Sequence, residues 1–111
     1  MQNPKFSIFK SSINNQYYFR LRATNGEIIL NGEGYVTKQS CLAAIASVKL
    51  NAPIDSRFER KMNQGAYTFN LKAINGEIIG RSESYISDSG RENGISAVKK
   101  DASYAATEDL S

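Results

Sequence analysis

Apolar and polar residues alternate along two stretches of the chain. Tyr17, Phe19, Leu21 and Ala23 interleave with Tyr18, Arg20, Arg22 and Thr24. Tyr67, Phe69, Leu71 and Ala73 interleave with Thr68, Asn70, Lys72 and Ile74. A period of two sends neighbouring side chains to opposite faces of a strand, so the first set of each stretch is predicted to face a core. Asn25-Gly26 and Asn75-Gly76 follow, and Glu-Ile-Ile comes next in both. Asn-Gly accepts positive φ at both central positions of a two-residue type I′ turn, so each stretch reads as a β-hairpin. That turn sets Thr24 opposite Glu27, Ala23 opposite Ile28 and Leu21 opposite Leu30. Ile28 and Ile78 then join the core face, whereas Ile29, Ile79, Glu33 and Tyr35 point away from it. A bulge near Asn31-Gly32 would return Tyr35 to the core side.

Lys5–Lys10 is apolar and mostly alternating and predicts a first strand, with 57–62 as its counterpart and Ile8 matching Phe58. The polar segments 11–16 and 63–65 read as turns. After Tyr35 and Tyr85 the period lengthens. Thr37 and Ser87 suit helix N-caps, because a hydroxyl can accept from exposed backbone N–H groups. Leu42, Ile45 and Val48 step at three-residue spacing, as one helix face does. The second copy keeps Ile95 and Val98 but has Glu92 in place of Leu42. It also carries Gly90 and Gly94, which are poor inside a helix, so a short turn and then a helix from near Asn93 is predicted there. Lys49, Lys99 and Lys100 suit the negative end of a helix dipole, and Asn51-Ala52-Pro53 closes the first helix.

The two hairpins are copies of one another. Residues 17–35 return as 67–85, with eleven of nineteen positions identical and no gap. Such a repeat is an internal duplication. A unit of about fifty residues buries only roughly 60% of its unfolded surface, so the halves are expected to share one core. No Gly/Ser-rich linker separates them. The reading is an α+β fold of two tandem repeats, 1–54 and 55–111, each of three strands and helix. Antiparallel sheet with helices packed on it forms one fused, pseudo-twofold unit.

Composition narrows the function. The chain has 111 residues, 41% of them hydrophobic, and a formal charge of +3. That mild basicity tolerates an anionic partner without demanding one. No apolar run reaches the roughly 20 residues of a membrane span, and the first residues do not read as a signal peptide, so a cytoplasmic location is expected. The one cysteine, Cys41, reads as a small, reduced, buried thiol. With no histidine, Ser-His-Asp and Cys-His catalysis and histidine-held zinc are excluded. No cofactor or metal is expected.

Two sets of residues are candidates for a site. Glu33 and Tyr35 recur as Glu83 and Tyr85, and a pseudo-twofold could bring them to a shared cleft. The competing role is structural, a carboxylate bonding backbone where strand turns to helix. Arg20, Arg22 and Lys72 lie on strands with Tyr17, Tyr18 and Phe19 interleaved, the arrangement by which several sheet modules stack single-stranded nucleic acid. Against it, Tyr18 becomes Thr68 in the second copy. The repeated Asn-Gly-Glu is explained by the turn alone.

The pattern Tyr17, Phe19, Leu21, Ala23, Asn25, Gly26, Glu27, Ile28, Ile29, with Glu33 and Tyr35 after it and Gly94-Ile95 and Val98-Lys99 in the second copy, resembles the YegP-like family of small uncharacterised proteins. The resemblance covers both copies. It implies repeats of three antiparallel strands, two short helices and a further strand exchanged between halves, by which residues from Ala105 to Leu110 would pair beside the first copy; read from its polar composition alone, the same segment is a frayed tail. It implies no activity. A non-enzymatic binding or structural module, a monomer with pseudo-dimeric architecture, is the reading that results. A weak nucleic-acid or anion binder comes second, and an enzyme or small-molecule binder using the Glu/Tyr positions third.

Overall fold

The computed structural model describes residues 3–111. Its elements are β1 (Lys5–Lys10), β2 (Tyr17–Arg22), β3 (Ile28–Asn31), α1 (Lys38–Asn51), β4 (Phe58–Asn63), β5 (Ala66–Lys72), β6 (Ile78–Arg81), α2 (Asp88–Asp101) and β7 (Ala106–Asp109). Short 3-10 turns at Asp55–Arg57 and Ala102–Tyr104 follow the two helices. The strands form one seven-stranded sheet in the order β4-β5-β6-β3-β2-β1-β7. Each repeat is an antiparallel meander, and the repeats join where β3 meets β6 at Asn31 and Arg81. The last strand leaves its own repeat and pairs in parallel with β1, Phe6 opposite Thr107 and Ile8 opposite Asp109. The exchanged strand expected from the resemblance is therefore present.

One hydrophobic cluster runs through both halves. Phe19, Leu21, Ile45 and Val48 from the first repeat are buried with Phe69, Leu71, Ile95 and Val98 from the second. Both helices lay their apolar side on the same sheet face, which leaves the other face bare of helix.

Several local expectations are corrected. The Asn-Gly loops are not two-residue type I′ turns. Gly26 and Gly76 have φ of 86° and 87°, but Asn25 and Asn75 do not have positive φ. The Gly26 N–H donates to the Ala23 carbonyl and the Ala23 N–H to the Glu27 carbonyl, so the loop has three residues and ends on a left-handed glycine. The Asn25 side chain accepts from the Glu27 N–H, which holds the asparagine in the turn without positive φ.

The longer loop also moves the register. Leu21 faces Leu30 as predicted, but Arg22 faces Ile28, with a bulge between. Ile29 is the extra residue and turns inward beside Leu30, so Ile29 and Ile79 are buried while Ile28 and Ile78 lie half-buried on the outer side. The bulge sits here and not at Asn31-Gly32.

In the helices, Thr37 and Ser87 cap as expected, accepting from the N–H of Ser40 and Gly90. However, α2 is continuous from Asp88 and passes through both glycines. A Cβ on Gly94 would run into the Tyr85 hydroxyl, so packing against that ring explains the glycine where propensity read a break. The buried stripe of α1 is Cys41, Ala44, Ile45 and Val48, and Leu42 is exposed.

Finally, Phe58 matches Phe6 and not Ile8. Phe6 faces Leu21 and Phe58 faces Leu71, because the β4–β5 turn is shorter than the β1–β2 loop. That turn, Gln64-Gly65, has positive φ at both residues and is a true two-residue turn.

Candidate functional site

Register fixes which side chains stand on the bare face. In β1, Phe6 and Ile8 point inward, so Ser7 and Phe9 point outward. In β2, Phe19 and Leu21 point inward and Tyr18, Arg20 and Arg22 outward. Phe9 and Tyr18 are cross-strand partners, and their rings stack with centroids 5.7 Å apart and planes 17° from parallel. The Arg20 guanidinium lies 4.4 Å from the Phe9 centroid. The Tyr18 hydroxyl accepts from the Asn14 amide at 2.8 Å, which fixes the ring from the β1–β2 loop. These three half-buried groups make an aromatic platform of stacked rings with a cation against it. Such a surface offers π-faces to a base and positive charge to a phosphate.

The sequence-predicted cations separate. Arg20 and Arg22 are neighbours on β2, and Arg22 also donates to the Gly26 carbonyl at 3.0 Å. Lys72 lies three strands away on β5, where it pairs with Glu59 at 3.0 Å. The Asn70 amide and then the Lys72 ammonium hold the Glu59 carboxyl below its ordinary range. Phe9 is the residue that sequence reading missed. The signal was present, because Phe6 and Ile8 at the core leave Phe9 outward by parity.

The four Glu/Tyr candidates do not meet in one cleft. Glu33 and Tyr35 line a cleft with Ala44 of α1 and with Asn75, Glu77 and Ile79 of the other repeat's hairpin. Glu83 and Tyr85 line another with Arg22, Glu27 and Ile28. Each cleft thus joins the hairpin tip of one repeat to the strand-to-helix turn of the other. The two glutamates also lock the repeats together. Arg81 donates to Glu33 at 2.8 Å, and Asn31 donates to Glu83. Burial, with the Cys41 and Glu33 charges behind it, pushes the Tyr35 hydroxyl above its usual value, and burial does the same to Tyr85. Among the described residues no group of histidine, cysteine and carboxylate side chains is placed to hold a metal. Among the same residues no helix is long and apolar enough to cross a membrane.

Comparison with known proteins places this geometry. A family model described as a domain of unknown function, DUF1508, matches residues 12–59 and again 63–109. A UPF0339 protein of Bordetella pertussis is 46% identical over 95 residues, 85% of this chain and 86% of that one. A UPF0339 protein of Treponema denticola is 51% identical over 49 residues, which cover 44% of this chain but 83% of the relative. The alignments with UPF0339 proteins of Stutzerimonas stutzeri and Yersinia pestis span 41% and 48% of those relatives, under half of each. The solution structure of yegP from Escherichia coli, described as a protein of unknown function, superposes with a TM-score of 0.91 at 41% identity, covering 99% of this chain and 95% of that one. The solution structure of a UPF0339 protein of Shewanella oneidensis gives 0.91 at 38% identity, covering 98% and 92%.

Proposed function

The chain belongs to the DUF1508 family of UPF0339 and YegP proteins, whose descriptions name no activity, and for this member we propose single-stranded nucleic-acid binding on the bare sheet face. The observation that carries the reading is the Phe9–Tyr18 stack with Arg20 laid over it. A single strand can lay a base on the platform, while Arg20 and Arg22 meet the phosphates beside it. A duplex keeps its base faces inside the stack and offers the platform nothing to pair with. A cytoplasmic, non-enzymatic role goes with this reading.

The test is fluorescence anisotropy with short oligo(dT), oligo(U) and a duplex of equal length, at several salt concentrations. Binding of the single strands is expected to weaken as salt rises, since each neutralised phosphate releases counterions. Stacking of a base on an aromatic side chain contributes about 1–3 kcal/mol, so Tyr18→Ala is expected to weaken binding by about tenfold or more. Thr68→Ala, at the matching position of the second repeat, is expected to leave it unchanged. Salt-independent binding, or equal affinity of Tyr18→Ala and the parent, overturns the reading.

A further inference from the structure

We propose that β4 is a self-pairing edge, and that two copies of the chain associate by antiparallel β4–β4 pairing. The outermost strands of the two meanders, β1 and β4, differ. At β1 the edge is covered: four parallel pairs and a bond from the Leu110 N–H to the Ile8 carbonyl seat β7 on it. Among the described residues, no strand lies beyond β4. The two-residue turn after Asn63 makes Asn63 and Ala66 a hydrogen-bonded pair, so Asn63, Lys61 and Glu59 direct their backbone groups to β5. Phe58, Arg60 and Met62 direct theirs outward. The Phe58 N–H turns back to the Asp55 carbonyl. Among the described residues, the backbone groups of Arg60 and Met62 have no partner on that side.

Charge selects the occupant. A β7 strand from another copy, docked as β7 docks on β1, would set its Glu108 beside Glu59 and its Asp109 toward Asp88. At β1 those places hold Ser7, which donates to Glu108, and Lys38, which pairs with Asp109 at 2.9 Å. The β4 edge therefore repels the acidic strand that the β1 edge holds. An antiparallel copy of β4 fits instead. Outward residues must meet outward residues, which allows registers centred on Glu59, Arg60 or Lys61. Centring on Glu59 sets Glu59 against itself and Arg57 against Lys61. Centring on Lys61 sets Lys61 against itself. Centring on Arg60 sets Glu59 opposite Lys61 twice, and Phe58 opposite Met62, which is 59% exposed in the single chain. The two Arg60 side chains then meet on the axis. Each is already held by Glu92 at 2.9 Å and Asp55 at 3.1 Å, so neither brings a bare charge.

Charged residues on an edge usually guard against pairing. Here their order makes one register attractive, and the contact is isologous, so it closes at two copies. The area is that of one short strand, below what a permanent dimer buries, so association depends on concentration. Both bare faces fall on the same side of the joined sheet.

Sedimentation equilibrium of the full chain over a wide concentration range tests this. The parent's average mass is expected to rise from that of a 12.3 kDa monomer toward twice that value. Lys61→Glu sets two carboxylates opposite each other at both ends of the pairing and is expected to weaken association by about tenfold or more. Glu59→Lys does the same with two cations. An equimolar mixture of the two variants restores Glu opposite Lys at both ends and is expected to associate as the parent does. A parent that stays monomeric at every concentration, a Lys61→Glu variant that associates like the parent, or a mixture no heavier than its separate components overturns the proposal. Glu59→Lys also loses the bonds from Asn70 and Lys72. If it does not fold, the parent and Lys61→Glu decide alone.

Discussion

Phe6 packs edge-on against Phe19 at 5.8 Å, and Phe58 packs the same way against Phe69 at 5.6 Å. Lys49 lies over the first ring of that pair and Lys99 over its counterpart. On the opposite face the likeness ends. Phe9, Tyr18 and Arg20 of the first repeat stand where the second has Lys61, Thr68 and Asn70. The helix-facing side of each repeat is constrained by close packing, which tolerates little change in volume or shape. The bare side carries no such constraint. A difference that survives there is free to reflect what the surface touches, and the platform stands on one repeat alone.

The largest effect that could break the equivalence is in the core. Phe19→Ala and Phe69→Ala are each expected to cost about 3–5 kcal/mol, because both rings are fully buried. Urea unfolding followed by circular dichroism should show one transition in both variants, shifted by similar amounts. Two resolved transitions would mean that the repeats melt separately.

A smaller effect separates the two helices. Gly94→Ala places a methyl group against the Tyr85 ring and is expected to cost about 1–3 kcal/mol by overpacking. Ala44 already occupies the matching position of α1, so Ala44→Gly should cost only about 0.5–1 kcal/mol, the ordinary helix penalty of glycine. Thermal unfolding ranks the two. Equal losses would show that Tyr35 and Tyr85 press on their helices alike.

The smallest effect sharpens the contrast between the edges. The Ser111 hydroxyl and then the Lys38 ammonium hold the Asp109 carboxyl at about 2, against an ordinary 3.8. A depressed carboxyl stabilises fully above its unfolded value and loses that contribution as pH falls through the folded one. The β7–β1 contact should therefore loosen between about pH 4 and 2. Amide shifts of Thr107–Leu110 followed by NMR should change in that window, and Lys38→Gln should move the Asp109 midpoint upward. A midpoint unchanged by Lys38→Gln would remove Lys38 from what holds the strand.

Alternation made the hairpins and most of the core legible, because Phe19, Leu21, Phe69 and Leu71 keep a period of two through their strands. The bulge was not legible. It follows from a three-residue loop, and Asn-Gly satisfies either loop: type I′ needs positive φ at both residues, which asparagine tolerates, and the three-residue loop needs it at the glycine alone. Gly90 and Gly94 misled for a different reason. Propensity read them as breaks, whereas the helix accommodates both, and at Gly94 the Tyr85 ring takes the space a side chain would fill. The candidate site was half visible. Tyr18 and Arg20 were marked by their interleaving, but the stack needs Phe9 from another strand. The Glu/Tyr pairs repeat in sequence, and only the fold shows that each faces the other repeat's hairpin.

The seam between the repeats has a consequence for how the chain could have changed over time. Asn31 faces Arg81 at the pseudo-axis, the one residue pair joining β3 to β6, and each side chain reaches a glutamate of the opposite repeat. In an assembly of two identical single repeats, whatever residue occupies that point must face its own twin. An arginine there would confront a second arginine. Fusion into one polypeptide lifts the requirement of self-likeness, so a substitution on one side no longer forces the same substitution on the other. The chain thereby holds at its centre a pair of unlike residues that a symmetric ancestor could not have held, with the latitude of a heterodimer and none of its need to find a partner.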